Sequence, residues 1–432
     1  MTTEGAVLAT GRVLQVNVSE GGVPKLPVER AWVSSLGLDG DKHREYTVHG
    51  GPHQAVCLFG VEAIERLQSE GHPMEPGSAG ENLTTTGVEW SLMPIGSRVS
   101  IGSELEVEIS APSNPCATQR RNFSDGRFSR ISIDHHPSDS RMYARVVRDG
   151  WVQPGDSISV EAPAPDSHAA DFTILKRLDR VELKSSVAAW SAAREAGIQI
   201  DFVEDGDLSM SASAESPGPA FNHSSGLAIY PNLLPLVADF YDKHGTRGWL
   251  WAESPPWQGA ESEVEIGVYA ALPDEVEDVS PPAGVVIRHI GREDAPRYIS
   301  VRGSEPGASG VSGAGVDRPN PWDAVYTHLA EWPHRFLFLA ELDGKPVGVA
   351  SLHTNARTGW LRGALVTPEA RGRGIQRALL SARTRKAKEE GCDLVGSWAE
   401  PDSPSATNIQ KLGLHRVGTR RQYVYTPGHT RL

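Results

Sequence analysis

A chain of 432 residues is long enough for two or three domains. Its 39% hydrophobic content, with 44 Gly and 31 Pro, suits compact, loop-rich folds rather than disorder. The net charge of −13 disfavours nonspecific binding to nucleic acid or an anionic membrane, so the local basic cluster Arg371, Arg373 and Arg377 reads as a site for a small anion.

The N-terminal MTTEGAVLATG lacks a basic segment followed by an apolar core, so no signal peptide is expected. No apolar run approaches the roughly 18 to 20 residues of a spanning helix, and a cytoplasmic protein is expected. The cysteines Cys57, Cys116 and Cys392 lie far apart without a CxxC pair, which argues against a disulfide framework or structural zinc.

The first 165 residues are short strand-like runs (RVLQVNV, HQAVCLF, RVSIG, LEVEISA, YARVVRDG, SISVE) punctuated by Gly and Pro, the pattern of a β-rich barrel or sandwich. EAPAPDSHAAD, residues 161–171, reads as a linker. From about 172 to 272, SVAAWSAAREAG and LLPLVADFYDKHG have helical spacing and end in Gly, and GWLWAES follows as a strand. The acidic LPDEVEDVSPPAG, residues 272–284, marks a second boundary.

The last block opens with VVIRHI. RFLFLAELDGKPVGVASLH is a hairpin turning at Asp343-Gly344, and GWLRGALV is the next strand. After VTPEARGRG a helix runs to about Glu390 and stops at Gly391, and CDLVGSWAE returns as a strand. GSEPGASGVSGAGVDRPNP, from Gly303, is long for a loop inside a domain and reads equally well as a mobile lid or as disorder.

The ARGRGIQ turn places two glycines between a strand and a helix, so backbone N–H groups and the helix dipole face one anion. It lacks the Lys-Ser/Thr of a nucleotide-triphosphate loop and the third glycine of a dinucleotide fold. With Val366-Thr367-Pro368 ahead of Arg371-Gly372-Arg373-Gly374-Ile375-Gln376, and SATNIQKLGLHRVG behind, residues 284–427 resemble the GCN5-related N-acetyltransferase (GNAT) family. The resemblance implies acetyl-CoA as co-substrate and a small-molecule amine as acceptor. The coenzyme would be held by Leu365, Val366, Thr367, Arg371, Gly372, Arg373, Gly374, Ile375, Gln376 and Asn408.

The carboxylate common on the family's fourth strand is replaced by Arg362, and Ile409 stands where a tyrosine is frequent. Tyr423, His353 and Glu341 are the substitute catalytic candidates. The middle block resembles the degenerate first half of two-lobed members, which pairs with the catalytic half and usually binds no coenzyme.

Five ordered pieces of the N-terminal block, Gly40-Asp41, HGGPHQAV, GENL, APSNPC and YARVVRDGWVQPGD, resemble the MOSC family. That resemblance implies a barrel-like domain that binds the molybdenum cofactor. Cys116 would ligate the metal as a soft thiolate. His49, Gly50, Gly51, Asn82, Arg120, Arg121 and Arg145 would hold the pterin and phosphate. It also implies reduction of N-hydroxylated substrates with a separate electron donor, and it leaves pyridoxal phosphate binding as a family-level possibility. Cys57 and Cys392 read as buried, inert thiols.

The expected architecture is an α+β multidomain chain: a MOSC barrel at 1–165, a degenerate GNAT-like lobe at 166–283 and a catalytic GNAT lobe at 284–432. In a rival reading the first domain is a non-catalytic binding module, and the last is the only enzyme or an acyl-CoA sensor.

Overall fold

Two compact units make up the chain, Met1–Thr173 and Ile174–Leu432. The structure, a computed structural model, describes residues 6–42, 51–113, 115, 117–133, 136–163, 172–304 and 321–428. Most of the expected linker (164–171) and of the expected lid or disordered loop (305–320) lies outside the described residues.

The first unit runs through β1 (Val7–Val18), β2 (Leu26–Val28), β3 (Ala31–Ser34), β4 (Gly37–Leu38), β5 (Val56–Gly60), α1 (Val61–Ser69), β6 (Leu83–Thr86), β7 (Arg98–Ile101), β8 (Leu105–Ser113), β9 (Arg141–Arg148), β10 (Gly150–Val152) and β11 (Ser157–Glu161). The order β11-β7-β8-β9-β5-β6-β1 closes on itself because β1 also pairs with β11, giving a seven-stranded barrel. Closure pairs each of the seven strands on both sides, and β2 adds on to the end of β1. Alternate residues point inward, so Val13, Leu58, Leu83, Val99, Ile101, Val107, Ile109, Ala144 and Ile158 fill the interior.

The second unit has β12 (Asp201–Asp205), β13 (Leu208–Ala212), β14 (His223–Ser225), β15 (Gly248–Ala252), β16 (Ser262–Ala271), β17 (Val285–Ile290), β18 (Arg335–Leu342), β19 (Lys345–Asn355), β20 (Thr358–Val366), β21 (Leu394–Ala399) and β22 (His415–Tyr425). Its helices are α2 (Phe172–Glu195), α3 (Leu234–His244), α4 (Ala295–Arg302), α5 (Pro321–Leu329), α6 (Ile375–Glu389) and α7 (Pro404–Lys411). The β18–β19 hairpin turns at Asp343 and Gly344, both with positive φ, as the Asp-Gly pair demands.

All its strands join one 11-stranded sheet, in the order β12-β13-β14-β15-β22-β16-β21-β20-β19-β18-β17. Two strands trade places across the middle of the chain. β22, the last strand, pairs with β15, and β16 from the middle block sits between β22 and β21. Each half therefore supplies backbone partners that the other half needs.

The two faces of this sheet differ in chemistry. One is apolar: Leu250, Met210 and Tyr423 pack with α3, while Ala340, Leu352, Leu361 and Val395 pack with α6. The other carries Arg335, Ser351, His353, Trp360, Arg362, Trp398, Arg420 and His223, which share a side by register and alternation. The 24-residue α2 crosses this polar face. Its close approach requires glycine beneath it, since a Cβ at Gly396 would lie 2.3 Å from Leu178 Cδ2.

Candidate functional site

The turn singled out in the sequence forms the N-terminus of α6. Gly374 is its N-cap with φ 82°, and Gly372 has φ 75°, conformations that favour glycine. Arg371, Gly372, Arg373 and Gly374 are all exposed. Arg371 Nε donates to the Val366 carbonyl at 3.2 Å, tying the turn back to the end of β20. Ile375 anchors the helix in the core, and the first-turn N–H groups of α6 face the exposed side.

The strands flanking this turn separate as they approach it. β20 and β21 are parallel neighbours only over Thr358–Trp360 and Leu394–Gly396. Beyond that, β20 bulges on its other side, where the pairing with β19 slips between Val349–Leu365 and Ser351–Arg362 at Gly363, φ 67°. The carbonyls released by the bulge are taken by arginines: Arg383 Nη1 donates to Arg362 O at 3.2 Å and Arg302 Nη1 to Gly363 O at 3.1 Å.

Across the apolar face, Asn408 Nδ2 donates to Gln376 Oε1 at 2.7 Å and Gln376 Nε2 to Ser405 Oγ at 3.2 Å, joining α7 to the first turn of α6. On the polar face Arg362 Nη1 donates to Ser186 Oγ at 3.2 Å and lies 3.6 Å from Glu182 Oε1. Glu182 also accepts from Ser186 and Ser225, and His223 Nε2 faces Ser186 Oγ at 3.3 Å. Burial, with the Arg362 charge, holds the His223 imidazole down at about 4, so it is neutral near pH 7.

In the barrel, Asp41 is the hub of a buried network. It pairs with Lys25, accepts from Asn82 Nδ2 at 2.9 Å and accepts from the Ser19 N–H at 2.9 Å. Asn82 Oδ1 accepts from the Cys57 N–H, so the Asn82 amide joins β5 to the Asp41 loop. Arg141, opposite Ser113 on the β8–β9 ladder, donates to the carbonyls of Ala79 and Ser113. It leaves Nε without a partner among the described residues, although the side chain is buried.

Residues 45–159 match the MOSC domain family, and residues 314–414 match the acetyltransferase (GNAT) family. The chain carries a MOSC domain and a GNAT acetyltransferase domain. A reductase of Gibberella moniliformis is 31% identical over 138 residues, which is 31% of this chain and 24% of that protein. Protein YiiM of Escherichia coli is 27% identical over 163 residues, 37% of this chain and 65% of that protein. The chain thus spans less than two thirds of the length of these curated relatives. A GCN5-related N-acetyltransferase from Kribbella flavida superimposes with a TM-score of 0.38 at 16% identity, over 57% of this chain and 96% of that one.

The three catalytic candidates expected in the GNAT domain do not converge. Tyr423 is buried in the apolar cluster under α3, and burial pushes its phenol up. Glu341 is held by Arg288 at 3.0 Å and by Arg297 at the far end of β18. His353 is on the polar face opposite Trp360, its Nδ1 without a partner among the described residues. Burial first, then the Arg335 charge, lowers it to about 3.

In the MOSC domain, His49, Gly50 and Cys116 lie outside the described residues. Gly51, φ 86°, opens the short helical turn Pro52–Gln54 that leads into β5. Arg120 and Arg121 are exposed on the turn Ala117–Asn122, Arg120 over the Phe128 ring at 5.7 Å. Arg145 pairs with Glu108 at 2.7 Å. Burial raises the thiols of Cys57 and Cys392, as befits inert cysteines.

Arg141 and the Glu182–Ser186–His223 group went unnoticed in the sequence. Alternation with the inward Ala144 puts Arg141 on the other side of β9, so nothing local signalled its burial. For the second group there was no signal either, because its members meet only when α2 crosses the sheet.

Proposed function

We propose that the GNAT domain transfers an acetyl group from acetyl-CoA to a small-molecule amine. The observation that carries this is the exposed Arg371–Gly374 turn, with two left-handed glycines, at the start of a 15-residue helix beside two strands that part. Backbone N–H groups from Gly372 to Gln376, with about half a positive charge from the helix dipole, suit the coenzyme pyrophosphate. Leu365, Val366 and Thr367 run along the parting edge and would take the pantetheine arm, with Asn408 behind it.

In the reaction the amine nitrogen bonds to the acetyl carbon, the C–S bond breaks and the thiolate leaves with a proton. Tyr423, Glu341 and His353 are poorly placed or too weakly basic to share this work, so positioning carries the rate, an effect worth roughly 7 to 11 kcal/mol. The test is titration of the full chain with acetyl-CoA, together with thiol release across a panel of amines. Binding and release, both lost in Gly374→Asp, support acetyl transfer, whereas binding without release from any amine would make the domain an acyl-CoA sensor.

For the MOSC domain we propose a molybdenum cofactor site. The buried Arg141, its Nε unpartnered among the described residues, pairs on the ladder with Ser113, three residues before Cys116 in sequence, and would suit an anionic group there. Cys116 would hold the metal, and His49, Gly50, Gly51, Arg120 and Arg121 the pterin and phosphate. Arg145 and Asn82, engaged with Glu108 and Asp41, would shape the site from behind. When bound, the cofactor supplies two-electron reduction of an N–O bond, an N-hydroxy compound taking two electrons from a separate donor and two protons to give an amine and water. That amine would be the natural acceptor for the GNAT domain. Metal analysis of the full chain beside Cys116→Ala tests the site: metal in both or in neither, with a loaded MOSC control, counts against it.

A further inference from the structure

We infer that the polar face of the GNAT sheet holds a carboxylate-binding site at Arg362 and Arg335, so that one of the two reactants bears a carboxylate. The inference rests on the acyl-transfer reading and names a chemical class within it.

A buried guanidinium is expensive unless a carboxylate or several oxygens satisfy it. Two other buried arginines, one in the sheet and one on α6 against it, follow that rule. Arg420 makes a bidentate pair with Asp179 at 2.6 and 3.2 Å. Arg383 donates to the carbonyls of Leu379, Ser351 and Arg362.

Arg335 does not. At 7% exposure it meets only two hydroxyls, Ser185 Oγ at 2.5 Å and Ser351 Oγ at 3.2 Å, and its Nε has no partner among the described residues. Burial and the neighbouring Arg362 charge bring it down to about 10, so it is still charged at neutral pH. Among the described residues, Glu182 is the one carboxylate in ion-pair contact with Arg335, Arg362 or Arg383. It lies 3.6 Å from Arg362, and two serines already donate to it.

Three arginines thus share one carboxylate, and an added anion would offset the excess positive charge. Guanidinium forks also match the carboxylate plane. The position agrees with a reactant site. Arg362 is two residues past the last β20–β21 pairing, one third of its side chain is exposed, and its guanidinium lies 5.6 Å from the Trp398 ring centre on β21. The carboxylate could belong to the acceptor amine or to a dicarboxylic acyl chain on coenzyme A, since both would reach the gap between the strands.

The test uses the full chain and two arms of thiol release. One compares tryptophan with tryptamine and phenylalanine with phenethylamine on acetyl-CoA. The other compares succinyl-CoA with acetyl-CoA on tryptamine. A preference of about ten- to a hundredfold in kcat/KM for the carboxylate-bearing member is expected in one arm, and the arm identifies the source. In Arg362→Gln the preference should collapse through KM, with a circular-dichroism melt confirming that the change at this partly exposed position leaves the fold intact.

Thermal shift with propionate against propionamide, in wild type and Arg362→Gln, reads the site without turnover. An Arg362-dependent shift by propionate alone is expected. Its absence, or thiol release indifferent to carboxylate in both arms, overturns the site. Failure of acyl-CoA to bind while the propionate shift persists would overturn the acyl-transfer reading and leave the site standing.

Discussion

The second unit contains the same path twice, once around α3 and once around α6, and only one copy opens to solvent. In each, an antiparallel pair (β13–β14 or β19–β20) is followed by a loop, a helix and a strand parallel to the second of the pair. Around α6 the loop is Arg371–Gly374, exposed throughout, and a Cβ added at Gly372 meets nothing within 4 Å. Around α3 it is Gly226–Tyr230, with Leu227, Ile229 and Tyr230 each at 1% exposure. A Cβ at Gly226 would lie 2.3 Å from the Asp207 carbonyl oxygen, and Tyr230 donates to Asp207 at 3.2 Å. Topology alone does not make an anion site. Apolar side chains worth roughly 1.5 to 3 kcal/mol each when buried pull one loop into the core, and glycines flanked by arginines leave the other outside.

The strand exchange links the two copies, and breaking it should have the largest effect. Residues 284–432 alone lack β16, which leaves an edge of β21 unpaired and β22 with neither of its partners. That fragment should lack cooperative unfolding by circular dichroism, and co-expression with residues 166–283 should restore it.

The glycines come next. Gly374→Asp should lower acetyl-CoA affinity by at least about a hundredfold by calorimetry and cost about 1 kcal/mol of stability, the strain of a side chain at φ 82° in an exposed turn where Pro282 Cγ is 3.7 Å from the new Cβ. Gly226→Asp should do the reverse, costing on the order of 3 kcal/mol of stability in urea, with affinity retained in the folded protein. Equal loss of affinity in both variants would end the distinction between the two loops.

Acidification probes the polar network that α2 lays over the sheet. With His223 held near 4 against 6.5 in the unfolded chain, the unfolded state binds the extra proton across that interval. The stabilisation is whole above pH 6.5 and is lost as pH falls to 4, up to about 3 kcal/mol. His223→Gln should flatten the fall in urea midpoint between pH 6.5 and 4.5.

Smallest is Asn408→Ala, which removes the 2.7 Å bond to Gln376. It should cost about 1 kcal/mol of stability and raise the acetyl-CoA KM several-fold.

Local signals carried much of this in the sequence. Asp343-Gly344, the short apolar run GWLRGALV and the GRG turn before an apolar-periodic run each depend on neighbours within a few residues, and the structure places a hairpin, a strand and a helix cap at those positions. SVAAWSAAREAG marked only the end of α2, which begins at Phe172: Phe172, Leu175, Leu178 and Val181 carry the buried stripe back to its start, with Leu178 over Gly396 and Leu175 over Gly418. β16 went unassigned, although EVEIGVYAA alternates at its start, since its last six residues are buried and no longer alternate. Of the candidate site, the α6 turn was legible and the Arg335–Arg362 pair was not, because those residues lie 27 apart on strands separated by β19.

By itself the sequence determined the strand-rich first block and the anion-ready turn, since these rest on turn chemistry and periodicity set within short windows, and its ordered motifs carried the resemblance to the two domain families. Only the tertiary structure decided that the middle and last blocks share one sheet, that the loop before α3 is filled, and that two arginines share one face of the sheet under α2. Those outcomes depend on which edges pair and which charges are buried together, and pairing and burial are properties of distant residues brought into contact.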